Sequence, residues 1–386
     1  MTRAAPNSPP LRHVVTWSAA YDYCHDRYQA YYLAGLTAAA EAAGVPVTVH
    51  QLQRLPGVLR ALRRVRSSYR LTRLMKTRLA DGVDGIARLV GGNRTPPSGV
   101  FHPLVGQYVF EFEGGKTVRL AVDAQDSGEL ALPDAGSVFP LYAKTNYHAD
   151  GVYPEFVIPE CNGNPLILDK LPELTASRTQ PAEYDVCCVV RVWGGQDEEE
   201  GVEHNLRLLE AVNKANVRKY LLAYLVTGDI DRQEARLRAQ GIPTTRQPMP
   251  LQRLWQVSAS SRINIIRLGM HNCVPWRYMD MLAMGTCVVF DQPPQTVWPV
   301  PLEEGKHYLH LGLLTPRGQA RADDARYTAV PELLTQYVCH ASLVDAIRSQ
   351  TAAYFDQHAH PAAVGRRLLS KVLDAVRGSR STLLAP

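Results

Sequence analysis

The sequence predicts an α/β protein made of two doubly wound domains. Three observations carry that expectation. A chain of 386 residues exceeds what one ordinary core organises. Strand-like apolar runs alternate with helix-length segments, the order of a mostly parallel sheet. This alternation occurs twice, on either side of a stretch rich in proline and turn formers near residues 175–181. The expected division is 1–178, 179–345 and a helical tail over 346–386.

In the first half, "RHVVTWSA" reads as a strand, and "DRYQAYYLAGLTAAAEAAG" as an alanine-rich helix stopped at Gly44. "VPVTVHQL" is a second strand, "TVRLAVDA" a third, and "SVFPLYAKTNYH" a fourth. In the second half, "YDVCCVVRVWG" opens a new run. "EGVEHNLRLLEAVNKA", "RQEARLRAQG" and "PLQRLWQVSASS" read as helices, and "RKYLLAYLVTGD" and "RINIIRLG" as strands. The tail is helical with a break at Pro361.

Composition narrows the function classes. Hydrophobic residues make up 46% and charged residues 20%, as in soluble globular proteins. No run of about 18 apolar residues occurs, so no spanning helix is expected. The first residues lack the apolar core of a secretory signal. Seven cysteines, none in a CxxC pair, read as reduced and mostly buried thiols. A cytoplasmic protein is expected. No metal cluster is evident. His358 and His360 lie two residues apart, which separates them on a helix. The net charge is +5, with a basic helix over 54–78 that no acid interrupts. A solvated face is its plainest reading. Peripheral contact with anionic lipid is the next, and nucleic acid is not expected because aromatics are sparse there.

The stretch "RYMDMLAMGTCVVFD", Arg277 to Asp291, carries the functional argument. Pro275 suits a helix start and Gly285 its end. "TCVVF" suits a central strand without polar alternation. The loop "RLGMHNCVP", with Gly269, His271 and Asn272, follows a strand at the carboxyl edge of the sheet, where ligands bind in open α/β folds. A helix start there suits phosphate. Asp280 interrupts an apolar helix, and an unpaired buried carboxylate is costly. Two readings stand side by side: a pair with Arg277 on an exposed face, or acceptance of hydrogen bonds from the vicinal hydroxyls of a ribose.

On these residues the segment resembles the donor-site signature of GT-B glycosyltransferases of the broad group 1 kind. The Arg-x-x-acid spacing is similar to that of a bacterial spore-coat and polysaccharide-type subgroup. "YDVCCVVRVWGGQDEEEGVEHNLRLLEAV" resembles the opening of a nucleotide-sugar domain. The resemblance spans residues 184–308 most closely. It implies two Rossmann-like domains facing a cleft, with the C-terminal helices crossing back to the first. It also implies a hexosyltransferase-like, metal-independent enzyme without cofactor, which moves a sugar from a nucleoside diphosphate-sugar to a glycan, lipid-linked or small-molecule acceptor. Asp280 and Arg277 would hold the donor, with Gly269, His271 and Asn272 in its loop and Arg191 at the phosphates. Asn272 stands where many retaining members carry an acid, and Glu200 where a lysine is common. The alternatives are a two-domain nucleotide-sugar epimerase and a degenerate protein that binds nucleotide or glycan without turnover.

A base is expected at the carboxyl ends of the first-domain strands. These ends offer Asp22, His25 and Asp26, then Asp123 and Asp126, then Lys144, Tyr147 and His148. Asp26 and Asp123 lead, with His25 beside them. "PECNGNPL" (Pro159 to Leu166) reads as a tight turn or as part of the cleft lining.

Overall fold

The computed structural model describes residues 9–18, 23–52, 96–193, 198–313 and 324–381. The basic run at 54–78, with its expected helix and membrane contact, lies outside them.

The chain opens with β1 (Leu11–Ser18), α1 (Tyr23–Ala42) and β2 (Val47–Gln51). Helix α1 stops where glycine permits. Gly44 takes φ +70°, and the Val45 N–H donates to the Ala40 carbonyl at 2.9 Å, the bond that closes a Schellman motif. Next come β3 (Val105–Phe112), β4 (Thr117–Asp123), β5 (Leu141–Lys144) and β6 (Val157–Pro159). The sheet order is β2-β1-β3-β4-β5-β6. Strand β3, unanticipated from the sequence, runs antiparallel to both β1 and β4. The other pairings in this sheet are parallel. The strand expected over Ser137–His148 narrows to the four residues of β5, because Ala135–Ser137 forms a 3₁₀ turn.

A short helix, α2 (Leu171–Ala176), leads to the second sheet. There follow β7 (Tyr184–Val192), α3 (Glu198–Lys214), β8 (Lys219–Leu225), α4 (Ile230–Arg238), β9 (Thr244–Thr245), α5 (Leu251–Ala259), β10 (Ser261–Ile266), α6 (Trp276–Ala283), β11 (Cys287–Phe290) and β12 (Leu309–His310). The order is β12-β11-β10-β7-β8-β9, with every pairing parallel. Strand order reverses between β7 and β10, which makes their carboxyl ends the topological switch point. Helix α6 ends at Gly285 (φ +59°), with the Thr286 N–H donating to the Met281 carbonyl. All four residues of β11 are buried, as expected for a strand covered on both faces.

Helices α7 (Asp324–Cys339) and α8 (Ala341–Tyr354) follow. Helix α8 buries Val344 and Ile347 in the second core, so the return begins after Tyr354 rather than at residue 346. A π-turn at Phe355–Ala359 redirects the chain into α9 (Pro361–Ser381). Val364, Leu368, Val372 and Val376 of α9 join the core around α1 and the first sheet. The two helices meet at Gly35 and Gly365, where a side chain on either would strike the other's backbone.

The two passages between the sheets are pinned together. Arg178, before β7, donates to both Asp356 oxygens at 2.8 Å and through Nε to the Ala283 carbonyl at 2.9 Å. Beside them, buried Glu160 pairs with Arg367 of α9. Among the described residues, no helix is long and apolar enough to cross a membrane.

Candidate functional site

At the switch point of the second sheet, the ends of β7 and β10 are tied by an arginine the sequence reading passed over. Arg267 donates from Nη1 to the Trp193 carbonyl at 2.9 Å. Burial lowers its pKa, and the Asp291 carboxylate opposes that shift. Asp291, at the end of β11, is itself buried. Its Oδ1 accepts from the main-chain N–H of Leu268 at 3.0 Å and of Gln292 at 3.1 Å, and its Oδ2 lies 3.1 Å from His204 Nε2. The other ring nitrogen of His204 lies 2.6 Å from the Tyr327 hydroxyl. The root of the loop after β10 is thus fixed from three directions.

The loop itself is strained. His271 and Asn272 adopt φ +57° and +56°, a region that non-glycine residues seldom occupy and that concentrates at functional sites. Asn272 is held there because its Oδ1 accepts from Gln292 Nε2 at 2.6 Å. Gly269 donates its N–H to the Cys273 carbonyl at 2.9 Å, and a methyl group on it would lie 2.5 Å from Cys273 Sγ. His271 is exposed. Arg191, also exposed, holds its guanidinium 5.4 Å from the centre of the Trp193 ring. Arg191, Gly269, His271 and Asn272 therefore share one sheet edge with Arg267.

Loops of the first sheet meet this edge. Burial lowers the His148 pKa, against the pull of Asp150. The 147–149 segment pairs with 295–297, through Val297 N–H to the Tyr147 carbonyl (2.7 Å) and Ala149 N–H to the Gln295 carbonyl (3.1 Å). Asp126, in the loop after β4, is only partly exposed. Its carboxyl pKa is raised by burial, partly offset by Lys144 and His271. The same carboxylate contributes to the high pKa of the Cys273 thiol, which burial chiefly sets at about 12. Among the described residues, no side-chain hydrogen bond or ion pair to the Asp126 carboxylate is present. An unengaged, partly buried acid with a raised pKa is the environment that suits proton transfer.

Asp123 is the opposite case. It is fully buried. Its oxygens accept from the N–H groups of Gln125 and Ala131 and from the Tyr142 hydroxyl, at 2.9, 3.0 and 2.8 Å. Lys144 Nζ stands 3.5 Å away. With its acceptor positions spent on shaping the loop, Asp123 is a structural acid and not the base expected from its strand-end position. His25 and Asp26 fall in the first turns of α1, and their side chains lie outside the described residues.

The ribose role expected of Asp280 also requires correction. The residue is 2% exposed. One oxygen accepts from Asn164 Nδ2, and the other accepts from Trp255 Nε1 at 2.8 Å, so both are spent on protein donors. Nor does Arg277 pair with it. Arg277 donates Nη1 to the Val189 carbonyl at 2.8 Å, beneath β7, with no hydrogen-bond partner at Nε or Nη2 among the described residues. Asp280 is instead a clamp between the halves. "PECNGNPL" supplies the clamp's other jaw: Asn164 reaches Asp280, Asn162 donates to the Val274 carbonyl at 3.1 Å, and Trp276 Nε1 donates to Asn162 Oδ1 at 3.0 Å. Gly163 between them is obligatory, because a methyl group there would lie 2.3 Å from the Tyr31 ring.

Burial pushes the Asp280 pKa up to about 6, against the pull of its two donors. An unfolded aspartate releases its proton near 3.9. The protonated acid therefore favours the folded chain most below about pH 4, and that contribution is lost as the pH rises through 6. Trp255→Phe strands Oδ2 and is expected to lower stability by about 2 kcal/mol at about pH 7.5, where the carboxylate is charged. The loss should be smaller at about pH 5, where the folded residue is largely neutral. Urea unfolding at the two pH values checks this; equal losses at both would refute the titration.

Among the described residues, no group of three or more His, Cys, Asp or Glu side chains could hold a metal ion.

No protein-family model matches the chain, and no curated protein matches it. Among solved structures, it is similar to Anabaena Alr3699/HepE in complex with UDP-glucose, at 11% identity and TM-score 0.44, covering 95% of this chain and 100% of that one. It is also similar to a glycosyltransferase from Rickettsia africae ESF-5, at 10% identity and TM-score 0.46, covering 95% and 98%. A third is the C-terminal domain of the group 1 glycosyl transferase LpcC from Francisella tularensis, at 10% identity and TM-score 0.33, covering 48% and 91%.

Proposed function

We infer that the site where the first sheet's loops meet the edge of the second transfers a glycosyl group from a nucleoside diphosphate-sugar to an acceptor hydroxyl. The observation that carries this reading is the unengaged carboxylate of Asp126, on the first sheet's loops, set within electrostatic reach of His271 in the loop after β10, whose root holds Arg267. The diphosphate lies against Arg267 and the main-chain N–H groups of the loop after β10, with Arg191 at the rim. The acceptor enters from the first sheet.

In the reaction, the acceptor oxygen attacks the anomeric carbon as the bond from that carbon to the phosphate oxygen breaks. Asp126 takes the acceptor's proton. The departing diphosphate carries the electron pair away, its charge met by Arg267 and the N–H groups. The raised Asp126 pKa brings the base closer to operating pH. These groups supply base and charge stabilisation without a metal or a cofactor.

The test is calorimetry with UDP, GDP, ADP and TDP, followed by turnover of the matching glucose conjugates with acceptor mixtures. Arg267→Ala is expected to weaken binding of the preferred diphosphate about tenfold, the scale of one charge-assisted hydrogen bond. Unchanged affinity in a folded variant would remove the diphosphate from this edge. Binding without release of nucleoside diphosphate would favour a non-catalytic binding protein.

A further inference from the structure

Buried Asn146, just beyond the end of β5, bonds in both directions. Its Nδ2 donates to the main-chain carbonyl of Asp126, and its Oδ1 accepts from Thr296 Oγ1 at 2.7 Å. Both Asn146 and Thr296 are buried. Thr296 belongs to the second half of the chain and lies in the segment after β11 that also grips the donor-side loop. Gln292 donates to Asn272 Oδ1 at 2.6 Å, and Asn272 Nδ2 approaches Gln295 Oε1 at 3.4 Å. One run of residues, 292–296, therefore holds the loop after β10 with one part and the Asp126 loop with another. The main-chain pairing of 147–149 with 295–297 keeps that run in register.

We propose that Thr296, acting through Asn146, is a positioning residue that sets the Asp126 carboxylate relative to the donor loop, so that the base is aligned only when the two halves are docked. This rests on the glycosyl-transfer reading for its kinetic consequence, but not for its structural one. An amide that donates to a loop carbonyl fixes the loop only while its own oxygen is anchored, because an unanchored side-chain amide can rotate. The Thr296 hydroxyl is that anchor. The groups whose charge acts on Asp126 are Lys144 and His271, one from each half, so its electrostatic setting also depends on docking.

The experiment compares wild type, Thr296→Val and Thr296→Ser, each first confirmed folded by its melting curve. Valine keeps the shape of threonine and removes the donor; serine restores the donor. Two quantities are measured. The first is the Asp126 titration midpoint, followed by carboxyl carbon NMR in full-length protein. The second is turnover of whichever nucleoside diphosphate-glucose the wild type uses. In Thr296→Val the midpoint should fall toward the ordinary aspartate range as water reaches the freed loop. kcat should fall about tenfold while the affinity for the nucleoside diphosphate stays within twofold. Thr296→Ser should recover both quantities. An unmoved midpoint in Thr296→Val overturns the proposal, and so does a loss of turnover that serine fails to recover. If the wild type turns over no donor, the glycosyl-transfer reading fails, and the titration alone still decides whether Thr296 sets Asp126.

Discussion

Asp126→Asn is expected to slow glycosyl transfer by about 10²–10⁴-fold, the range for loss of a positioned general base. The substitution keeps the shape of the side chain. It also leaves the bond from Asn146 intact, because that bond goes to the main chain of residue 126 and not to its carboxylate. Affinity for the nucleoside diphosphate should therefore hold while kcat collapses, the pattern of an interaction used only in the transition state. The pH profile offers a second readout. The base works as a carboxylate, so wild-type kcat should climb as the pH rises through the raised pKa of Asp126, and the asparagine variant should lack that limb. A kcat within a few-fold of wild type would assign the proton to another group and leave Asp126 a bystander. Asp123 makes an instructive contrast. Its carboxylate accepts two main-chain N–H groups and a buried hydroxyl, so its replacement should disturb folding along with turnover.

Gly365→Ala is expected to destabilise the protein by about 3 kcal/mol, the upper end of the usual cost of overpacking. The added methyl group would lie 1.8 Å from the Gly35 carbonyl oxygen and 2.1 Å from its carbon. Both are backbone atoms inside α1, so no side chain can swing aside. Relief requires α9 to lift from α1, and with it Val364, Leu368 and Val372 from the core they share with Tyr31 and Leu36. Gly35→Ala should act in the same direction, since its methyl group would lie 2.2 Å from the Pro361 carbonyl oxygen. Urea unfolding of the full chain measures both. A variant as stable as wild type would mean that the two helices are not in backbone contact in solution.

Local structure was legible in the sequence where local chemistry dictates it. Gly44 and Gly285 mark helix ends because only glycine takes their positive φ without strain. "CVVF" reads as a covered strand because nothing in it is polar. Strand direction is not encoded this way. "VGQYVFEF" carries no sign that β3 runs against its neighbours, since its pairing depends on β1 and β4, which are distant in sequence. Asp280 shows the same limit at the site. Its presence in an apolar helix rightly demanded partners, and sequence spacing offers Arg277 at three residues. Its partners in the fold are Asn164, 116 positions away, and Trp255, 25 positions away. No periodicity connects these residues. Arg267 was missed for a related reason. An arginine closing a strand is commonplace, and what distinguishes this one is its place at the reversal of strand order and the Trp193 carbonyl it meets. The polar residue after "CVVF", Asp291, was the available clue that this edge is built and not merely a loop.

The swapping of α9 onto α1 has a consequence for biosynthesis. The helix that seals one face of the first sheet's core is made long after the sheet itself. Between the end of α1 and the start of α9 lie more than 300 residues, roughly 15–60 s of translation at ordinary speeds. During that interval Tyr31, Leu36, Phe110 and Leu120 lack part of their eventual cover. The nascent chain thus carries an unsealed apolar surface, a natural target for chaperones, until α9 arrives.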